Sequence, residues 1–382
     1  MRFIHTADWH LGRILFGVHL TEDQEYLLNQ IKEIIIQKKA EALIIAGDIY
    51  DRAVPPPSAI KLLDSFLSEI IDQIKIPVIM IAGNHDSPDR LGFASDILEK
   101  QGLFIKGSVY SDSFVTSLND EFGNIDIYAA PYAEPVVVRA KLQDESLLDH
   151  NLAVKALVDD VLKKSSEKNR KILVGHAFVA GGSETESERP LSVGGSGAVS
   201  PSVFKGFDYV ALGHLHRSQK AGNTNIRYSG SILPYSFEEG TIEKSVTLVD
   251  LGEKGDCKFE TIPLVPKRKL RKIKGEIEEI IKSSEEGSED YIQVTLLDKG
   301  PVLDAMGKLR EKFPNVLHIE RPYLVSNNTS VGLKSDHRKL DEKELFSLFF
   351  KEVTGEKTEK ELEEKFVEIV DGFKMINREA GE

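Results

Sequence analysis

Three stretches near the start of the chain decide the fold: RFIHTADWH at residues 2–10, ALIIAGD at 42–48 and PVIMIAGNHD at 77–86. Each begins with an apolar run that suits a buried strand and ends on polar residues. Between them, the helical spacing of apolar residues predicts helices over Glu22–Lys39 and Ser58–Ile74. Nearly continuous apolar strands separated by helices indicate a sheet that is covered on both faces.

Later strands follow at shorter intervals, which favours antiparallel pairing in the second half of this region. We expect a two-layered β-sandwich flanked by helices over residues 1–265. The segment Gly181–Ser200 is rich in glycine and serine and predicts a long loop. The further predicted strands are Ile125–Ala130, Lys171–Gly175, Asp208–Leu212, Ile226–Ser229 and Ser245–Leu251.

The composition excludes several classes of protein. Of the 382 residues, 41% are apolar and 29% are charged, which is ordinary for a globular protein of two or three domains. The single cysteine, Cys257, excludes an internal disulfide framework. No run of about 18 apolar residues could span a membrane, and the first residues lack the pattern of a secretory signal. We therefore expect a cytoplasmic protein.

The chain changes character at Lys267, where KRKLRKIK begins. Because the net charge is −13, binding of a nucleic acid would need a local basic patch of this kind. We predict a small α/β domain over residues 266–325, a linker over 326–340 and a helical tail over 341–382. In the small domain, strands are predicted near Leu270 and at Tyr291–Leu297 and Val316–Arg321, with helices at Gly275–Ile281 and Val302–Lys312.

Five short segments place Asp, Asn or His where predicted strands end, and together they predict a metal site. Side chains two positions apart on an extended segment point the same way, so each D-x-H or H-x-H pair can hold one ion. Each segment is weak evidence by itself, since a lone Gly-His or Gly-Asp is usually structural. The segments are Asp8-Trp9-His10, Gly47-Asp48, Gly83-Asn84-His85-Asp86, Gly175-His176 and Gly213-His214-Leu215-His216.

This order of motifs resembles the calcineurin-like metallophosphoesterase superfamily, which implies a four-layered α-β-β-α fold around two metal ions. The resemblance implies that Asp8, His10 and His216 hold the first ion and that Asn84, His176 and His214 hold the second. Asp48 would bridge the two. Imidazole, carboxylate and amide ligands favour manganese, iron or zinc over magnesium or calcium, and manganese is our working choice.

Such a centre can clamp a phosphate and activate a water for attack on phosphorus. His85 stands next to an expected ligand and is the natural donor of a proton to the departing oxygen. The resemblance implies that Asp51 hydrogen-bonds to His85 and orients it. Arg52 either contacts phosphate or forms a salt bridge at the rim.

Longer motifs resemble the SbcD family of bacterial nuclease subunits, counterparts of the double-strand-break repair nuclease of archaea and eukaryotes. They are TADWHLGR, GDIYDRAVPP, GNHDSPDRL, SERPLSVGG and DYVALGHLHR. The resemblance implies a 3′-to-5′ double-strand exonuclease and single-strand endonuclease that opens hairpins in DNA repair, replication and recombination, associated with the nucleoid. The alternatives are a stand-alone phosphatase or small-molecule phosphodiesterase, and an inactive scaffold.

The same resemblance assigns purposes to the remaining parts. The small domain would cap DNA over the metal centre, with Lys267 and Arg268 contacting phosphates. The alternative for this basic run is a solvated charged strand or linker. The tail would dock on the SbcC ATPase in a heterotetramer, because its aromatic faces suit helix-in-groove binding; a self-packed helical hairpin is the alternative. Helices near Ser58–Ile74 or Arg90–Lys100 would form a homodimer, although their apolar faces could equally be core. The tail aromatics are Phe346, Phe349, Phe350 and Phe366.

Overall fold

The structure is a computed structural model of the whole chain. It describes residues 1–188, 191, 197–253, 255–283 and 289–322, and in the tail 343, 346–347, 349–350, 358 and 360–379. The chain divides into two compact units, Met1–Arg271 and Lys272–Glu382. The predicted linker over 326–340 lies outside the described residues.

The first sheet of unit 1 is built on the three apolar stretches that open the chain. They form β1 (Arg2–Thr6), β4 (Ala42–Ile45) and β5 (Val78–Ile81), which pair in parallel in that order. Strand β6 (Leu103–Lys106) adds a parallel edge, while β13 (Ser245–Leu251) and β14 (Cys257–Pro263) continue the sheet antiparallel on the other side of β1. A two-stranded hairpin, β2 (Ile14–Leu15) and β3 (Val18–His19), follows β1.

The second sheet has a parallel centre, so the expectation of antiparallel pairing there is wrong. Its order is β11-β12-β10-β9-β8-β7, and β8, β9, β10 and β12 pair in parallel. For β8 and β9 the physical reason is their connection, which carries two helices that the sequence analysis did not predict. The strands are β7 (Phe114–Asp120), β8 (Gly123–Ala130), β9 (Arg170–His176), β10 (Tyr209–Gly213), β11 (Gln219–Ala221) and β12 (Asn223–Tyr228).

The two sheets face each other across a core of buried apolar side chains. Phe3 and Ile44 from the first sheet meet Ile127 and Val174 from the second in one cluster. The outer face of the second sheet is covered by a helix whose Val158 joins another buried cluster. The helices of unit 1 are α1 (Thr21–Lys38), α2 (Pro57–Ser68, continued by a π-helical turn, Glu69–Ile74), α3 (Pro88–Leu91), α4 (Ser95–Leu98), α5 (Pro135–Leu142) and α6 (His150–Lys164).

The predicted sandwich with flanking helices is therefore confirmed. Strand residues that point away from the inter-sheet core, such as Ile4, Leu43 and Ile45, are also fully buried, as a helix-covered sheet requires. Parallel pairing places the carboxyl ends of these strands at one edge of each sheet, where ligands gather in α/β proteins.

Unit 2 contains a small α/β fold with its own core. Strand β15 (Leu270–Gly275) begins at the unit boundary, and β16 (Tyr291–Leu296) pairs in parallel with β17 (Val316–Glu320) in a sheet of order β15-β16-β17. The helices are α7 (Ile277–Lys282) and α8 (Ala305–Lys312). Side chains such as Ile292, Leu309 and Phe313 form the buried cluster.

The tail folds back on itself over the residues that are described. The ring of Phe346 stacks on that of Phe366 in the tail helix, Lys360–Glu379, with centroids 4.0 Å apart and planes at 7°. The Ser347 hydroxyl donates to the Glu363 carboxylate at 2.8 Å. The self-packed arrangement therefore exists in this chain, and Phe349 stays 61% exposed beside it.

In the part of the chain that the structure describes, no helix combines the length and apolar character needed to cross a bilayer.

Candidate metal centre

Polar side chains from five strand ends meet at one edge of the sandwich. Asp8 and His10 follow β1, Asp48 follows β4, and Asn84 follows β5 in the first sheet. In the second sheet, His176 ends β9, while His214 and His216 follow β10. The structure thus brings together all seven side chains that the sequence analysis proposed as metal ligands.

Asn84, His176 and His214 form one group. The Asn84 Oδ1 lies 2.9 Å from Nε2 of His176 and 3.2 Å from Nδ1 of His214. The Nδ1–H of His176 donates to the main-chain oxygen of Ala46 at 2.9 Å, which ties the two sheets together. Because one nitrogen of a neutral imidazole then holds the proton, Nε2 of His176 directs a lone pair at Asn84.

His10 and His216 form a second group, and Asp48 lies between the two groups. The Nε2 atoms of His10 and His216 are 3.1 Å apart. The Asp48 Oδ2 lies 3.7 Å from Nε2 of His10 and 3.5 Å from Nε2 of His176. This position suits a residue that contacts ions in both groups.

Asp8 is the seventh member of the cluster and is fully buried. Its Oδ1 accepts the main-chain N–H of His214 at 2.9 Å, and its Oδ2 is buried with no hydrogen-bond partner among the described residues. Ligand atoms of Asp8, Asp48 and His176 all lie within 4.8 Å of one another. A buried carboxylate oxygen without a donor is costly unless something positive meets it.

Four residues of the centre have backbone conformations that residues other than glycine usually avoid. Asp8, His10, Asp48 and His214 have positive φ values of 53°, 45°, 49° and 105°. Non-glycine residues adopt such conformations rarely, and they cluster at functional sites where the surroundings fix them. A Cβ at Gly213 would collide with the main-chain oxygen of Ala46, so this glycine permits the close approach of the two sheets.

Burial favours the neutral form of three of the imidazoles, those of His10, His176 and His214. It lowers the pKa of His176 to about 4. Burial, together with neighbouring imidazoles, lowers the pKa values of His10 and His214 well below the ordinary value. Burial and the adjacent Asp48 raise the pKa of Asp8. Neutral imidazole is the form that binds a metal, so the histidines are prepared for coordination, whereas the two carboxylates repel each other without a cation.

The donor set fits divalent cations. Carboxylate oxygens, an amide oxygen and imidazole nitrogens converge, and acceptors brought this close repel one another unless a cation lies between them. Mixed nitrogen and oxygen ligands suit first-row transition ions.

His85 lies against this cluster, held by contacts on both its main chain and its ring. Its N–H donates to Asp48 Oδ1 at 2.8 Å, and its Nδ1 lies 2.8 Å from the main-chain oxygen of Asp51. The predicted contact between Asp51 and His85 therefore uses the backbone carbonyl. The Asp51 carboxylate instead pairs with Arg13 at 2.8 Å and lies 3.9 Å from Nδ1 of His10.

Asp86 stabilises the loop that carries Asn84 and His85. Its carboxylate accepts the main-chain N–H groups of Ile49, Tyr50 and Gly83 at 3.1, 2.9 and 2.9 Å. These bonds join the segment after β5 to the segment after β4. They fix the relative positions of Asn84 and Asp48.

The predicted substrate-binding residues differ in their surroundings. Arg52 and Lys267 are exposed. The Arg268 guanidinium pairs with the buried Asp23 at 3.0 Å and lies 4.0 Å from Glu22. The pair with Asp23 fixes the orientation of Arg268 at the start of the basic run, and its contact with phosphate stays a prediction.

Sequence reasoning missed a second set of polar residues around His216. Glu239 and Lys244 form a buried ion pair at 2.6 Å, and Ser187 contacts both Glu239 and His216. Glu188 accepts the main-chain N–H of His216 at 2.7 Å. The motif SERPLSVGG was noticed only as a resemblance, and nothing in the spacing connects Ser187 to a carboxylate 52 residues away.

Comparisons with known proteins identify the family. A family model described as calcineurin-like phosphoesterase matches residues 1–218, and one described as type 5 capsule protein repressor C-terminal domain matches 266–354. The chain is 36% identical to the SbcD subunit of the SbcCD nuclease of Staphylococcus saprophyticus over 364 residues, covering 93% of this chain and 94% of that protein. The chain belongs to the SbcD family of nuclease subunits.

A second relative agrees with this membership. The SbcD subunit of the SbcCD nuclease of Staphylococcus epidermidis is 33% identical over 361 residues, again covering 93% of this chain and 94% of that protein. A solved dimetal phosphatase from Danio rerio, 14% identical, covers 69% of this chain and 96% of its own with a TM-score of 0.41. As a member of the SbcD family, the chain is a hydrolytic nuclease with a phosphoesterase domain, and divalent metal ions are implied.

The repulsion between the buried carboxylates of Asp8 and Asp48 leads to a prediction about thermal stability. Asp8→Asn removes one of two like charges, so in the presence of EDTA we expect its melting temperature to rise by a few degrees, which corresponds to about 1 kcal/mol. Saturating Mn²⁺ should stabilise the wild type by about 2.7 kcal/mol per site at 100 times Kd, and this gain should be smaller in Asp8→Asn.

Differential scanning fluorimetry with and without Mn²⁺ measures both effects. Asp126→Asn is the matched control, because Asp126 is a buried carboxylate of the same sandwich that accepts from Ser117 and Asn169. It should keep the full gain from Mn²⁺. If Asp8→Asn lowered the melting temperature in EDTA and kept the full gain, Asp8 would be a structural residue.

Proposed function

We propose that seven side chains of this chain hold two divalent ions and that the centre cleaves phosphodiester bonds of DNA. Asp8, His10 and His216 would hold one ion. Asn84, His176 and His214 would hold the other, with Asp48 shared. The observation that carries this proposal is the convergence of buried acceptor atoms from both sheets at one edge of the sandwich.

Manganese is the ion we propose for both positions. The donor set mixes imidazole, carboxylate and amide groups, and the chain has no thiolate near the centre that would favour zinc, because Cys257 lies on β14. Magnesium and calcium prefer sites made wholly of oxygen ligands.

The residues around the ions would divide the work of hydrolysis. When bound, divalent ions supply Lewis-acid stabilisation of a phosphoryl oxygen and activate a water. His85 would then donate a proton to the departing sugar oxygen. The carbonyl of Asp51 accepts from its Nδ1–H at 2.8 Å, so as the acid His85 would be an imidazolium, and the proton to be transferred would be its second one, on Nε2. Asp51 thus orients His85 through its main chain.

We propose that the substrate is DNA and that the protein therefore acts at the nucleoid. Arg52 follows Asp51 at the rim, and Lys267 begins the basic run, so both would contact phosphates without reading sequence. We propose 3′-to-5′ exonuclease activity on duplex ends and endonuclease activity on single strands and hairpins, in DNA repair, replication and recombination.

Digestion assays test this function. Purified protein is incubated with Mn²⁺ and blunt duplex, hairpin-ended or circular single-stranded DNA, with and without the ATPase partner and ATP. We expect the protein to cleave DNA and EDTA to abolish this cleavage. Hydrolysis of p-nitrophenyl phosphate should be far slower than cleavage of DNA. Comparable rates on p-nitrophenyl phosphate and no cleavage of DNA would favour the phosphatase alternative.

We propose that the SbcC ATPase docks on the tail. Packing of Phe346 on Phe366 leaves apolar side chains of the hairpin at the surface. Phe349, Leu362 and Ile369 are 61%, 40% and 58% exposed. An amphipathic hairpin with an exposed apolar face suits a coiled-coil partner, and two copies of each protein would make a heterotetramer.

Two changes to the tail test this docking. Truncation after residue 340 should abolish co-purification with the ATPase and leave basal nuclease activity within about twofold. In the full chain, Ile369→Glu should weaken binding at least about tenfold, because it places a charge on the apolar face. Glu368→Gln, an exposed neighbour, is the control. Unchanged binding by the truncated protein in pull-down or calorimetry would contradict the assignment.

We propose that the chain forms a homodimer through α2 and the segment with α3 and α4. A groove of about 380 Å³ lies between these helices, lined by Leu67 and Leu91 among others. Ile60 and Phe93 also line it and are 48% and 80% exposed, and Ile97 of α4 is 71% exposed. Large apolar side chains clustered in this way are typical of protein interfaces.

Ile97→Glu should convert the dimer to a monomer, since a charge in an apolar interface costs several kcal/mol. Light scattering coupled to size exclusion measures the mass. Leu148→Glu is the matched control, because Leu148 is 72% exposed on another surface of unit 1. If Ile97→Glu remained a dimer while Leu148→Glu became a monomer, the interface would lie elsewhere.

A further inference from the structure

The side of His216 opposite His10 faces a buried polar cluster that the proposed reaction does not use. The Nδ1 of His216 lies 2.5 Å from the hydroxyl of Ser187, whose hydroxyl in turn contacts Glu239. Glu239 and His216 are both almost completely buried, at 0% and 2% exposure. A carboxylate is seldom buried to this degree unless every oxygen has donors.

Glu239 has such donors on both oxygens. Its Oε1 accepts from the hydroxyls of Ser187 and Thr185, the latter at 2.8 Å. Its Oε2 accepts from the Lys244 ammonium at 2.6 Å and from the main-chain N–H of Tyr235 at 3.4 Å. The ammonium and the three other donors together hold this carboxylate in its ionised form and in one orientation.

Lys244 is itself fully engaged. Besides Glu239, its ammonium donates to the main-chain oxygen of His216 and to the hydroxyl of Ser231, each at 2.9 Å. An ammonium has three protons, and all three are used here. Lys244 therefore ties Glu239 to the backbone that carries His216, so the carboxylate and the imidazole are fixed to each other.

The direction of these hydrogen bonds determines where the His216 proton lies. An ionised carboxylate can only accept, so the Ser187 hydroxyl donates to Glu239. The Ser187 oxygen must then accept a hydrogen bond from its other neighbour, Nδ1 of His216. The Nδ1 of His216 must therefore carry the proton. In a neutral imidazole, Nε2 then has the lone pair, and it faces Nε2 of His10 at 3.1 Å.

The loop that supplies Ser187 is held in place on both sides of the contact. Its Ser183 exchanges two hydrogen bonds with the Gln219 side chain, at 2.9 and 2.8 Å. Glu188 accepts the main-chain N–H of His216 at 2.7 Å and also the N–H of Thr185. The loop thus contacts both the backbone and the ring of the same histidine.

We infer that Glu239 is a positioning residue for His216. Acting through the Ser187 hydroxyl and held by Lys244, it fixes the proton of His216 on Nδ1 and presents the lone pair of Nε2 to the metal. Residues behind a metal-binding histidine commonly set its tautomer, and their loss costs about 10- to 100-fold in metal affinity. The inference rests on the proposed role of His216 as a ligand.

The test measures the tautomer of His216 and the binding of Mn²⁺ in the full chain. Protein labelled with ¹⁵N-histidine is studied in EDTA at mildly alkaline pH by long-range ¹H–¹⁵N correlation, with His216→Ala to assign the signal. Isothermal titration calorimetry then gives the Mn²⁺ affinities. The variants are Glu239→Gln and Ser187→Ala, with Ser187→Thr as the conservative rescue and the exposed neighbour Glu238→Gln as the control.

The wild type, Ser187→Thr and Glu238→Gln should all show His216 protonated on Nδ1. Glu239→Gln offers an amide N–H to Ser187, so the hydroxyl can reverse and donate to Nδ1. Ser187→Ala leaves 3.6 Å between Nδ1 of His216 and Oε1 of Glu239. Both variants should shift the proton toward Nε2 and weaken one of the two Mn²⁺ sites about 10- to 100-fold.

A wild-type His216 protonated on Nε2 would overturn the inference, as would unchanged tautomer and affinities in both variants. Should Glu239→Gln fail to fold, Ser187→Ala decides, because it leaves the Glu239–Lys244 pair intact. The tautomer is measured without metal. Failure of the wild type to bind Mn²⁺ would therefore overturn the proposed centre separately from the inference.

Discussion

Asp48→Asn should lower the rate of DNA cleavage by about a thousandfold or more. Asp48 Oδ2 lies within 3.7 Å of one proposed ligand group and 3.5 Å of the other, so its charge would serve both ions. Asparagine keeps the shape of the side chain and its acceptor for the His85 N–H but removes that charge. Loss of Lewis-acid stabilisation worth about 4 kcal/mol corresponds to a thousandfold fall in rate.

Cleavage of labelled duplex DNA under single-turnover conditions measures this effect, and mass spectrometry counts the bound metal. Asp126→Asn serves as the control, because it changes a buried carboxylate of the same sandwich that lies outside the cluster. It should stay within about twofold of the wild type. A comparable rate in Asp48→Asn, with both ions still bound, would mean that Asp48 does not bridge them.

His85→Ala should lower DNA cleavage by about 10²- to 10⁴-fold while metal occupancy stays near that of the wild type. The loss is the contribution expected of a general acid. Metal should remain because the contact of His85 with Asp48 is made by the main-chain N–H, which alanine keeps. The effect therefore separates proton donation from metal binding.

His150→Ala is the matched control for this change. His150 is also buried near the centre, where its ring stacks on Tyr132 and its Nε2 lies 3.1 Å from the main-chain oxygen of Leu191. It should retain nearly full activity. Loss of both metal and activity in His85→Ala would show that His85 supports the site and is not the acid. A DNA substrate with a better leaving group should rescue His85→Ala if it is the acid.

The residues of the centre that could be predicted from the sequence are those that directly follow an apolar strand. Asp8, His176 and the other proposed ligands each follow an apolar strand, and the carboxyl ends of parallel strands meet in space. The glycine before His214 has a cause that only the fold shows, since a side chain at Gly213 would collide with the main-chain oxygen of Ala46 from the other sheet. The fold class and the meeting of these side chains at one edge could therefore be predicted together, whereas their division between two ions comes from the family resemblance and stays a prediction.

The parts that sequence reasoning missed depend on contacts between distant residues. Parallel pairing of β8 with β9 follows from the crossover through α5 and α6, which was not predicted, so these strands were taken as antiparallel. The burial of Glu239 and its pairing with Lys244 cannot be seen in a chain with many charged residues, because solvent-exposed pairs have the same local pattern. The atom by which Asp51 contacts His85 is likewise decided by the fold.

Anomalous diffraction from crystals grown with Mn²⁺ tests the central claim most directly. Data collected at the manganese edge should show two peaks, one among Asp8, His10 and His216 and one among Asn84, His176 and His214, with Asp48 contacting both. The peaks should disappear after soaking in EDTA. No peak at this edge of the sandwich, with these side chains directed away from one another, would contradict the account.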